Sequence, residues 1–231
     1  MPTSLRRARR ALRRTCARLA ASRAAGAYLR THPVTKLQIG AGGGLLPGWL
    51  NTDRDPGPGV AHLDATRPFP LPDRSFDYVF GEHVIEHLTR EQGAAMLAEC
   101  RRVLKPGGRV RITTPDLERI VSLHGAGGGD DVRARYMAWS TDAFVPGADR
   151  PRAAFVINQL FHGWGHRFIY DEETLAAALL AVGLSAPVRR AYGESADPAL
   201  AAIETHGADQ PQRRELFAFE ALVIEAERPA D

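Results

Sequence analysis

A glycine cluster and the carboxylate that follows it are the residues whose types and order best suit ligand chemistry. Residues 40–44 are four glycines and one alanine directly after a short apolar run, and Asp53 closes the next such run. Glycine lets the main chain take positive φ angles and approach a ligand closely. An aspartate at a strand end is suited to accept hydrogen bonds from both hydroxyls of a ribose. Together these residues indicate a nucleoside-containing ligand.

The spacing of these residues narrows the class of ligand. Asp53 follows Gly40 by thirteen positions, whereas a dinucleotide-binding fold has about 20. Pro47 and Gly48 lie between them and prevent a full helix from forming there. No Gly-Lys-Ser or Gly-Lys-Thr follows the glycines, which argues against a nucleoside-triphosphate loop.

Three histidines, His83, His162 and His166, are candidates for a general base, because imidazole titrates near neutral pH. His162 and His166 lie within residues 158–170, a passage that contains several aromatic side chains and two glycines. We expect this passage to form the wall of a site for a sugar or an aromatic acceptor. The alternative for each histidine is a structural role, held by hydrogen bonds.

A zinc pattern competes for the same residues. His83, Glu86 and His87 spell His-x-x-Glu-His, in which two histidines four positions apart share one helix face. The alternative is a helix start, where Glu82 and Glu86 would favour the positive end of the helix dipole. Since no third ligand stands out in the sequence, we expect no metal.

The elements that must position these residues alternate between strands and helices. Apolar periodicity predicts strands at 34–39, 49–52, 76–80 and 109–113 and a helix at 90–104. Pro106 and the two glycines after it end that helix. This alternation predicts a parallel sheet with right-handed crossovers, in which ligands bind at the carboxyl ends of the strands.

The remainder of the chain predicts a second group of elements. Gly125, Gly127, Gly128 and Gly129 form a flexible stretch, followed by helices at 131–144 and 171–183 and a strand at 216–226. Asp171 and Thr174 mark the start of the second helix, and Gly183 marks its end. We expect residues 121–165 to be a lid or insertion within a domain of residues 31–231.

The N-terminal part of the sequence is rich in basic side chains. The first 52 residues hold ten basic side chains and no acid, and this segment accounts for the sequence pI of 9.1. Residues 5–20 place apolar side chains at helical spacing among arginines, which predicts a basic amphipathic helix within a leader of residues 1–30. We expect peripheral contact of residues 5–20 with an anionic membrane leaflet. A solvated extension is the alternative, and no nucleic-acid partner is expected.

Composition excludes several classes of protein. With 231 residues, 44% of them hydrophobic and 25% charged, the chain is not wholly disordered, fibrous or a disulfide scaffold. Cys16 and Cys100 lack metal-type spacing, which favours reduced thiols in a cytoplasmic protein. No apolar run approaches the roughly 18 residues of a transmembrane helix.

Five ordered motifs carry a resemblance to a known family. They are LQIGAG at 37–42, PGWLNTD at 47–53, LPDRSFDYV at 71–79, EHVIEHL at 82–88 and RVLKPGG at 102–108. This series resembles class I S-adenosylmethionine-dependent methyltransferases, and among them the small methyltransferases associated with cell-surface polysaccharide synthesis. The resemblance implies a Rossmann-like α/β fold with a seven-strand, mostly parallel sheet whose last strand is antiparallel.

The resemblance also implies roles for individual residues around S-adenosylmethionine. Gly40, Ala41 and Gly42 would pass under its methionine part, Asp53 would hold the ribose, Asp64 and Ala65 would meet the adenine, and residues 80–83, with Glu82 and His83, would border the sulfonium and methyl. Gln38 stands where an acid is common, and its amide would accept a hydrogen bond from the cofactor's amino group.

The reaction implied is methyl transfer to an oxygen of a saccharide, a lipid-linked glycan or a related small metabolite. The protein would be cytoplasmic, with its leader on the inner face of the membrane. Two other classes stay open: a regulatory protein that binds an adenosyl ligand without catalysis, and a nicotinamide-dependent oxidoreductase. Production of S-adenosylhomocysteine would separate the first from an enzyme, and the choice between S-adenosylmethionine and NAD as ligand would separate the second.

Overall fold

The computed structural model describes the backbone of residues 2–125 and 131–230, and the side chains of residues 15–125 and 131–230. Gly127, Gly128 and Gly129 of the expected flexible stretch lie outside the described residues, as do the side chains of residues 5–14 in the predicted amphipathic pattern.

A seven-stranded sheet organises the chain. Its strands are β1 Lys36–Ile39, β2 Leu50–Asp53, β3 Ala61–His62, β4 Phe76–Glu82, β5 Leu104–Pro115, β6 Ser185–Arg190 and β7 Ala221–Glu227. Their order in the sheet is β3-β2-β1-β4-β5-β7-β6. The pairs from β3 to β5 are parallel, whereas β7 is antiparallel to both β5 and β6. This arrangement confirms the predicted sheet, including the antiparallel last strand.

Within the described residues, seven helices accompany the sheet: α1 Pro2–Thr31, α2 Arg90–Val103, α3 Leu117–Ser122, α4 Val132–Phe144, α5 Ala153–His162, α6 Glu172–Ala181 and α7 Arg214–Glu220. Two of them begin at capping boxes that the sequence carries. Thr89 and Gln92 exchange side-chain and backbone hydrogen bonds at the start of α2, and Asp171 and Thr174 do so at the start of α6. These bonds satisfy N–H groups that have no partner inside the helix.

One predicted element is wrong in part. The strand expected over 216–226 begins at Ala221, and the residues before it form α7. Leu216 and Phe219 are three positions apart and both pack into a cluster with α4 and α5, which is helical spacing. Contacts with neighbouring helices therefore determine the structure of this segment, while the run from Leu222 to Ile224 is buried in the sheet.

The C-terminal part of α1 belongs to the core. Ala21, Ala25 and Tyr28 are buried, and the Tyr28 hydroxyl donates to Gly48 O at 2.9 Å while accepting from Lys36 N at 2.9 Å. The last residues of the expected leader, residues 1–30, therefore pack into the core of the domain that follows it. In the part of the chain that the structure describes, no helix is both long and apolar enough to cross a membrane.

A layer of helices, formed by α3, α4, α5 and α7, has its own apolar cluster. Its buried members include Ile120, Tyr136, Val156, Leu160 and Phe219. Most of the segment 121–165 lies in this layer. That this segment is a lid or insertion within a domain of residues 31–231 stays a prediction. The layer matters for function because α4 and α7 place side chains around a cavity beside the end of β4.

Candidate functional site

Residues 40–44, which we call the glycine loop, follow β1 at the carboxyl edge of the sheet. Gly40 and Gly42 have φ angles of +68° and +49°, which side-chain-bearing residues rarely adopt. A Cβ atom at Gly40 would clash with the Val84 side chain, whereas one at Gly42 would project into open space. Glycine at position 40 is thus required by close packing, and the loop presents bare main chain at position 42.

Asp53 ends β2 next to this loop. Its carboxylate accepts hydrogen bonds from Gly42 N at 3.0 Å and from Asp55 N at 2.8 Å, one on each oxygen. These bonds fix the orientation of the carboxylate, and each oxygen keeps a lone pair for a further donor. The geometry suits a ligand with two adjacent hydroxyl groups.

A cleft of about 720 Å³ extends from Asp53 and the glycine loop. The predicted site residues that line it are Gly40, Gly42, Asp53, Asp64, Ala65 and His83. The fold therefore brings together the residues expected at the methionine, ribose and adenine parts of the cofactor. Trp164, Gly165 and Arg167, from the segment after α5, line the same cleft.

A smaller cavity of about 280 Å³ borders the other side of the glycine loop, next to Gln38, Ala41, Glu82 and residues 205–207. The Gln38 side chain already makes hydrogen bonds within the protein. Its Nε2 donates to Gly44 O at 2.9 Å, and its Oε1 accepts from Leu46 N at 3.3 Å. Gln38 shapes the loop, and because its side chain is buried, only one lone pair of its amide oxygen is left for a ligand's amino group.

Glu82 offers that capacity instead. Its Oε2 accepts from Thr205 N at 2.7 Å, from the Thr205 hydroxyl at 2.9 Å and from His206 N at 3.1 Å. Its Oε1 is buried and has no hydrogen-bond partner among the described residues. Burial raises the pKa of Glu82, against the opposing effects of these bonds and of the nearby His83. An ammonium group is the kind of donor that such an oxygen requires.

The segment beside Glu82 is held by a buried ion cluster. Arg111 is fully buried on β5 and pairs with Glu204 and Glu225 at 2.5 Å and 2.7 Å. Removing the Arg111 guanidinium would leave the buried Glu204 carboxylate without its ion-pair partner. This cluster keeps Thr205 and His206 against the glycine loop, a placement with no signal in the sequence.

His83 follows β4 at the junction of the cavities. It has a φ angle of +50°, and its Nδ1 lies 2.9 Å from Glu86 Oε1. Burial disfavours the charged form of His83, but its hydrogen bond and charge pairing with Glu86 outweigh burial and raise its pKa to about 9. Glu86 is itself oriented by the Thr114 hydroxyl, which donates to its Oε2 at 3.0 Å.

A third cavity of about 390 Å³, which we call the aromatic cavity, lies beside His83. It is lined by the aromatic residues Tyr136, Trp139, Phe144 and Trp164, four histidines at positions 83, 87, 166 and 206, and the acids Glu86 and Glu220. His83, His87 and Trp164 also line the larger cleft, so the two spaces adjoin. A ligand in the cleft and a second molecule in this cavity would meet at these three side chains.

Of the three histidines expected at the site, the structure brings two to these cavities. His166 lines the aromatic cavity, with Nδ1 at 2.6 Å from Leu160 O. His162 is exposed at the end of α5 and is not among the described residues that line the three cavities.

Other residues of the cavity were not expected from the sequence. The His206 ring lies 4.2 Å from that of His83, and burial together with the charge of His83 lowers the pKa of His206 to about 4. Burial raises the pKa of Glu220, whose carboxylate accepts from the Tyr136 hydroxyl at 2.5 Å. These residues come from distant segments, and only their packing reveals them.

Comparison with known sequences identifies one domain. Residues 37–112 match the family model described as a methyltransferase domain. A protein of Mycolicibacterium smegmatis that is described as a "probable S-adenosylmethionine-dependent methyltransferase" is 41% identical over 68 residues. That match covers 25% of this chain and 26% of the relative, so it spans about a quarter of the relative's length.

Solved structures support the fold over most of the chain. The complex of the Haloferax volcanii Trm112 methyltransferase activator with its candidate methyltransferase matches with a TM-score of 0.50 at 14% identity, over 89% of this chain and 88% of that chain. A Mesorhizobium loti S-adenosylmethionine-dependent methyltransferase matches with a TM-score of 0.50 at 16% identity, over 89% of this chain and 98% of that chain. At these identities the likeness concerns the fold alone.

Proposed function

We propose that the chain is an S-adenosylmethionine-dependent methyltransferase with a class I fold, and that it transfers a methyl group to a hydroxyl oxygen of a small saccharide or related metabolite. The observation that carries the proposal is the continuity of the site. Asp53 and the glycine loop lie in one part of the cleft, and His83 lies where the cleft adjoins the aromatic cavity.

The residues fit the cofactor at each of its parts. Asp53 would hold the ribose, Gly40 and Gly42 would lie along the methionine part, and Asp64 with Ala65 would border the adenine. Glu82 takes the role first expected of Gln38, because its buried Oε1 lacks a partner among the described residues. When bound, S-adenosylmethionine supplies an electrophilic methyl group on a positively charged sulfur.

His83 is the residue we assign to the proton of the acceptor. In methyl transfer to a hydroxyl, the acceptor oxygen gains a bond to the methyl carbon, the carbon–sulfur bond breaks with its electron pair staying on sulfur, and the hydroxyl proton leaves. His83 would take that proton at its Nε2, while Glu86 holds its Nδ1 and so fixes the direction of the ring.

The lining of the aromatic cavity supports the acceptor class. Four aromatic side chains offer flat apolar surfaces, and the histidines and acids among them offer hydrogen-bonding groups. A sugar ring presents the same mixture of apolar faces and hydroxyl groups. The volume of about 390 Å³ lies at the small end of ligand sites, which favours a single ring over a long chain.

Calorimetry with the purified full-length chain tests the cofactor. We expect S-adenosylmethionine and S-adenosylhomocysteine to bind and NAD not to bind. Asp53→Asn should weaken both affinities by about 10–100-fold, because a hydrogen bond to a charged group contributes about 1.5–3 kcal/mol. Asp149→Asn, at an exposed residue paired with Arg152, is the matched control and should bind normally.

A screen of saccharide and metabolite acceptors for S-adenosylhomocysteine production completes the test. Binding of NAD in place of S-adenosylmethionine would favour the oxidoreductase. Tight binding of S-adenosylmethionine without turnover on any acceptor would favour the regulatory protein.

A second part of the proposal concerns location. The leader would hold a cytoplasmic protein at the inner face of an anionic membrane through residues 5–20, and the side chain of Leu19 is 55% exposed there. Sedimentation with vesicles of anionic phosphatidylglycerol, compared with vesicles of phosphatidylcholine, measures this binding. The same measurement is made on variants in which Arg6, Arg9, Arg10 and Arg13 are changed to Gln one at a time. Each change should weaken binding to the anionic vesicles about fivefold, and an unchanged affinity would contradict it.

A further inference from the structure

We propose that Glu86, His87 and His166 form a binding site for a divalent first-row transition-metal ion such as Zn²⁺ in the aromatic cavity. One carboxylate and two imidazoles are the ligand set of many catalytic zinc sites. The existence of the site is independent of the proposed methyl transfer, whereas the role argued for it below rests on that function.

The three ligand groups converge in the fold. Each offers one ligand atom, and these atoms all lie within 4.8 Å of one another. Ligand atoms at about 2.0–2.2 Å from one ion are roughly 3–4 Å apart, so a modest contraction would complete the site. The rings of His87 and His166 lie 4.9 Å apart at 73°, an arrangement in which both can direct a nitrogen toward a common point.

Hydrogen bonds outside the trio fix the ligands in place. His166 Nδ1 lies 2.6 Å from Leu160 O, which leaves Nε2 as the ligating nitrogen. Metal-binding histidines characteristically use their second ring nitrogen in this way. Glu86 is held by the His83 ring at 2.9 Å and by the Thr114 hydroxyl at 3.0 Å.

The two segments that carry the ligands are also joined through the main chain. Arg167 N and Phe168 N both donate to Glu86 O, at 2.7 Å and 3.2 Å. His166 is therefore held directly beside the residues 86 and 87. The turn that brings it there contains Gly165 at a φ angle of +80° and Trp164 at +54°. The left-handed backbone is strained at Trp164 and is maintained there only by the surrounding packing.

This site differs from the one that the sequence pattern suggests. The His-x-x-Glu-His pattern requires an α-helix, but residues Ile85–His87 form a single 3-10 turn and His83 lies before it with a left-handed backbone. His83 is used to hydrogen-bond Glu86. His166, from a distant part of the sequence, replaces it as the third ligand.

The arrangement has a chemical consequence for the acceptor. Three protein ligands leave at least one coordination position open, as in catalytic zinc sites. A hydroxyl of the acceptor in that position would lose its proton more readily, because the cation stabilises the alkoxide. The proton would pass to His83, and the oxygen would remain in the aromatic cavity beside the cleft.

Metal binding to the full-length protein tests the proposal without reference to turnover. The protein is first treated with a chelator and freed of it, and is then titrated with Zn²⁺ or Co²⁺ by calorimetry, with the visible spectrum of Co²⁺ as a second signal. We expect one equivalent to bind more tightly than about 10 μM. His166→Ala and His87→Asn should each weaken binding by at least about 100-fold, whereas His124→Ala, at an exposed histidine, should not.

The outcomes separate this proposal from the proposed function. If the wild-type protein binds neither ion, or if His124→Ala weakens binding as much as His166→Ala, the metal site is wrong. Calorimetry with S-adenosylmethionine on the same variants shows whether each is folded and whether the cofactor site stands. Metal binding without S-adenosylmethionine binding would overturn the methyltransferase function and leave the metal site intact.

Discussion

The two halves of the site are built in different ways. On the cofactor side, the glycine loop, Asp53 and Glu82 stand at or directly after the ends of three neighbouring parallel strands. On the side proposed for the acceptor, seven of the ten lining residues come from α4, from the segment after α5, from the loop before α7 and from α7 itself, and the other three follow β4. The first half is determined by where strands end, and the second by how a layer of helices packs.

Because the two halves are built differently, we expect substitutions to affect cofactor affinity and acceptor binding separately. Changes at strand ends should alter cofactor affinity and leave acceptor binding intact, and changes in the helical layer should do the opposite. His83 stands at the boundary and lines all three cavities, so replacing it tests the separation most directly.

The largest effect is expected at His83. Replacing His83 with Gln removes the group assigned to the acceptor proton, and the turnover number should fall by about 100- to 10,000-fold. Cofactor affinity, measured by calorimetry, should change little. A parallel loss of S-adenosylmethionine binding would mean that His83 supports the cofactor site and is not a base.

The same residue predicts a pH dependence. Glu86, Glu82 and Glu220 face His83, as does the ring of His206, and the pKa of His83 is raised to about 9. Only its neutral form can accept a proton, so turnover in metal-free buffer should increase with pH, reach half its maximum near pH 9 and level off above that. His83→Gln should abolish that increase.

Stability should change in the opposite direction over the same range. A raised pKa means that charged His83 stabilises the folded state, fully below its ordinary value of 6.5, and that this contribution is lost as the pH passes about 9. Thermal unfolding of the wild-type protein and of His83→Gln between pH 6 and 10 measures it. A difference between the two proteins that does not shrink with rising pH would contradict the ion pair with Glu86.

The next effect in size concerns the glycine loop. Gly40→Ala places a Cβ against Val84 in a backbone with φ +68°, so the loop must shift. We expect S-adenosylmethionine affinity to fall by about 100-fold and the free energy of unfolding to fall by about 1–3 kcal/mol. Gly57→Ala, where a Cβ meets nothing within 4 Å, is the control. Unchanged affinity in Gly40→Ala would show that the cofactor does not contact this loop.

Residues that line the cleft proposed for the cofactor could be predicted from the sequence, because their determinants are local. A glycine cluster after one apolar run and an acid after the next are visible without knowing the fold. Gln38 shows the limit of this approach, since its use within the loop and the free oxygen of Glu82 depend on where the segment 204–207 lies.

The acceptor half could not be predicted in the same way. Tyr136, His206 and Glu220 have no shared pattern in the sequence, and residues 216–220 adopt a helix where alternation predicted a strand. Their positions follow from long-range packing of α4 against α7 and from the ion cluster of Arg111. The sequence indicates His166 as a candidate from its aromatic surroundings and places Glu86 and His87 in the His-x-x-Glu-His pattern, but nothing in it brings these three residues together.

A smaller effect is expected at Glu82. Glu82→Gln keeps an acceptor for the Thr205 and His206 backbone but removes the charge, so S-adenosylmethionine should bind about tenfold more weakly. Methylthioadenosine, which lacks the amino-acid part of the cofactor, is the matched ligand control and should bind the variant as well as the wild type. Equal weakening for both ligands would place the effect of Glu82 on the loop and not on the ammonium.

The smallest effect is expected in the helical layer. Phe144 lines only the aromatic cavity and makes edge contacts with Trp139 and Trp164, at 5.5 Å and 4.9 Å between ring centroids. Phe144→Ala removes one face of the acceptor wall, and the KM of the acceptor should rise up to about tenfold with little change in the turnover number, because uniform binding is lost.

Phe161→Ala, at an exposed aromatic on α5, is the control for that change, and S-adenosylmethionine affinity should be normal in both variants. Should Phe144→Ala weaken cofactor binding and leave the acceptor KM unchanged, the two halves would not be separable. The aromatic cavity would then be part of the cofactor site, and the acceptor would have to bind elsewhere.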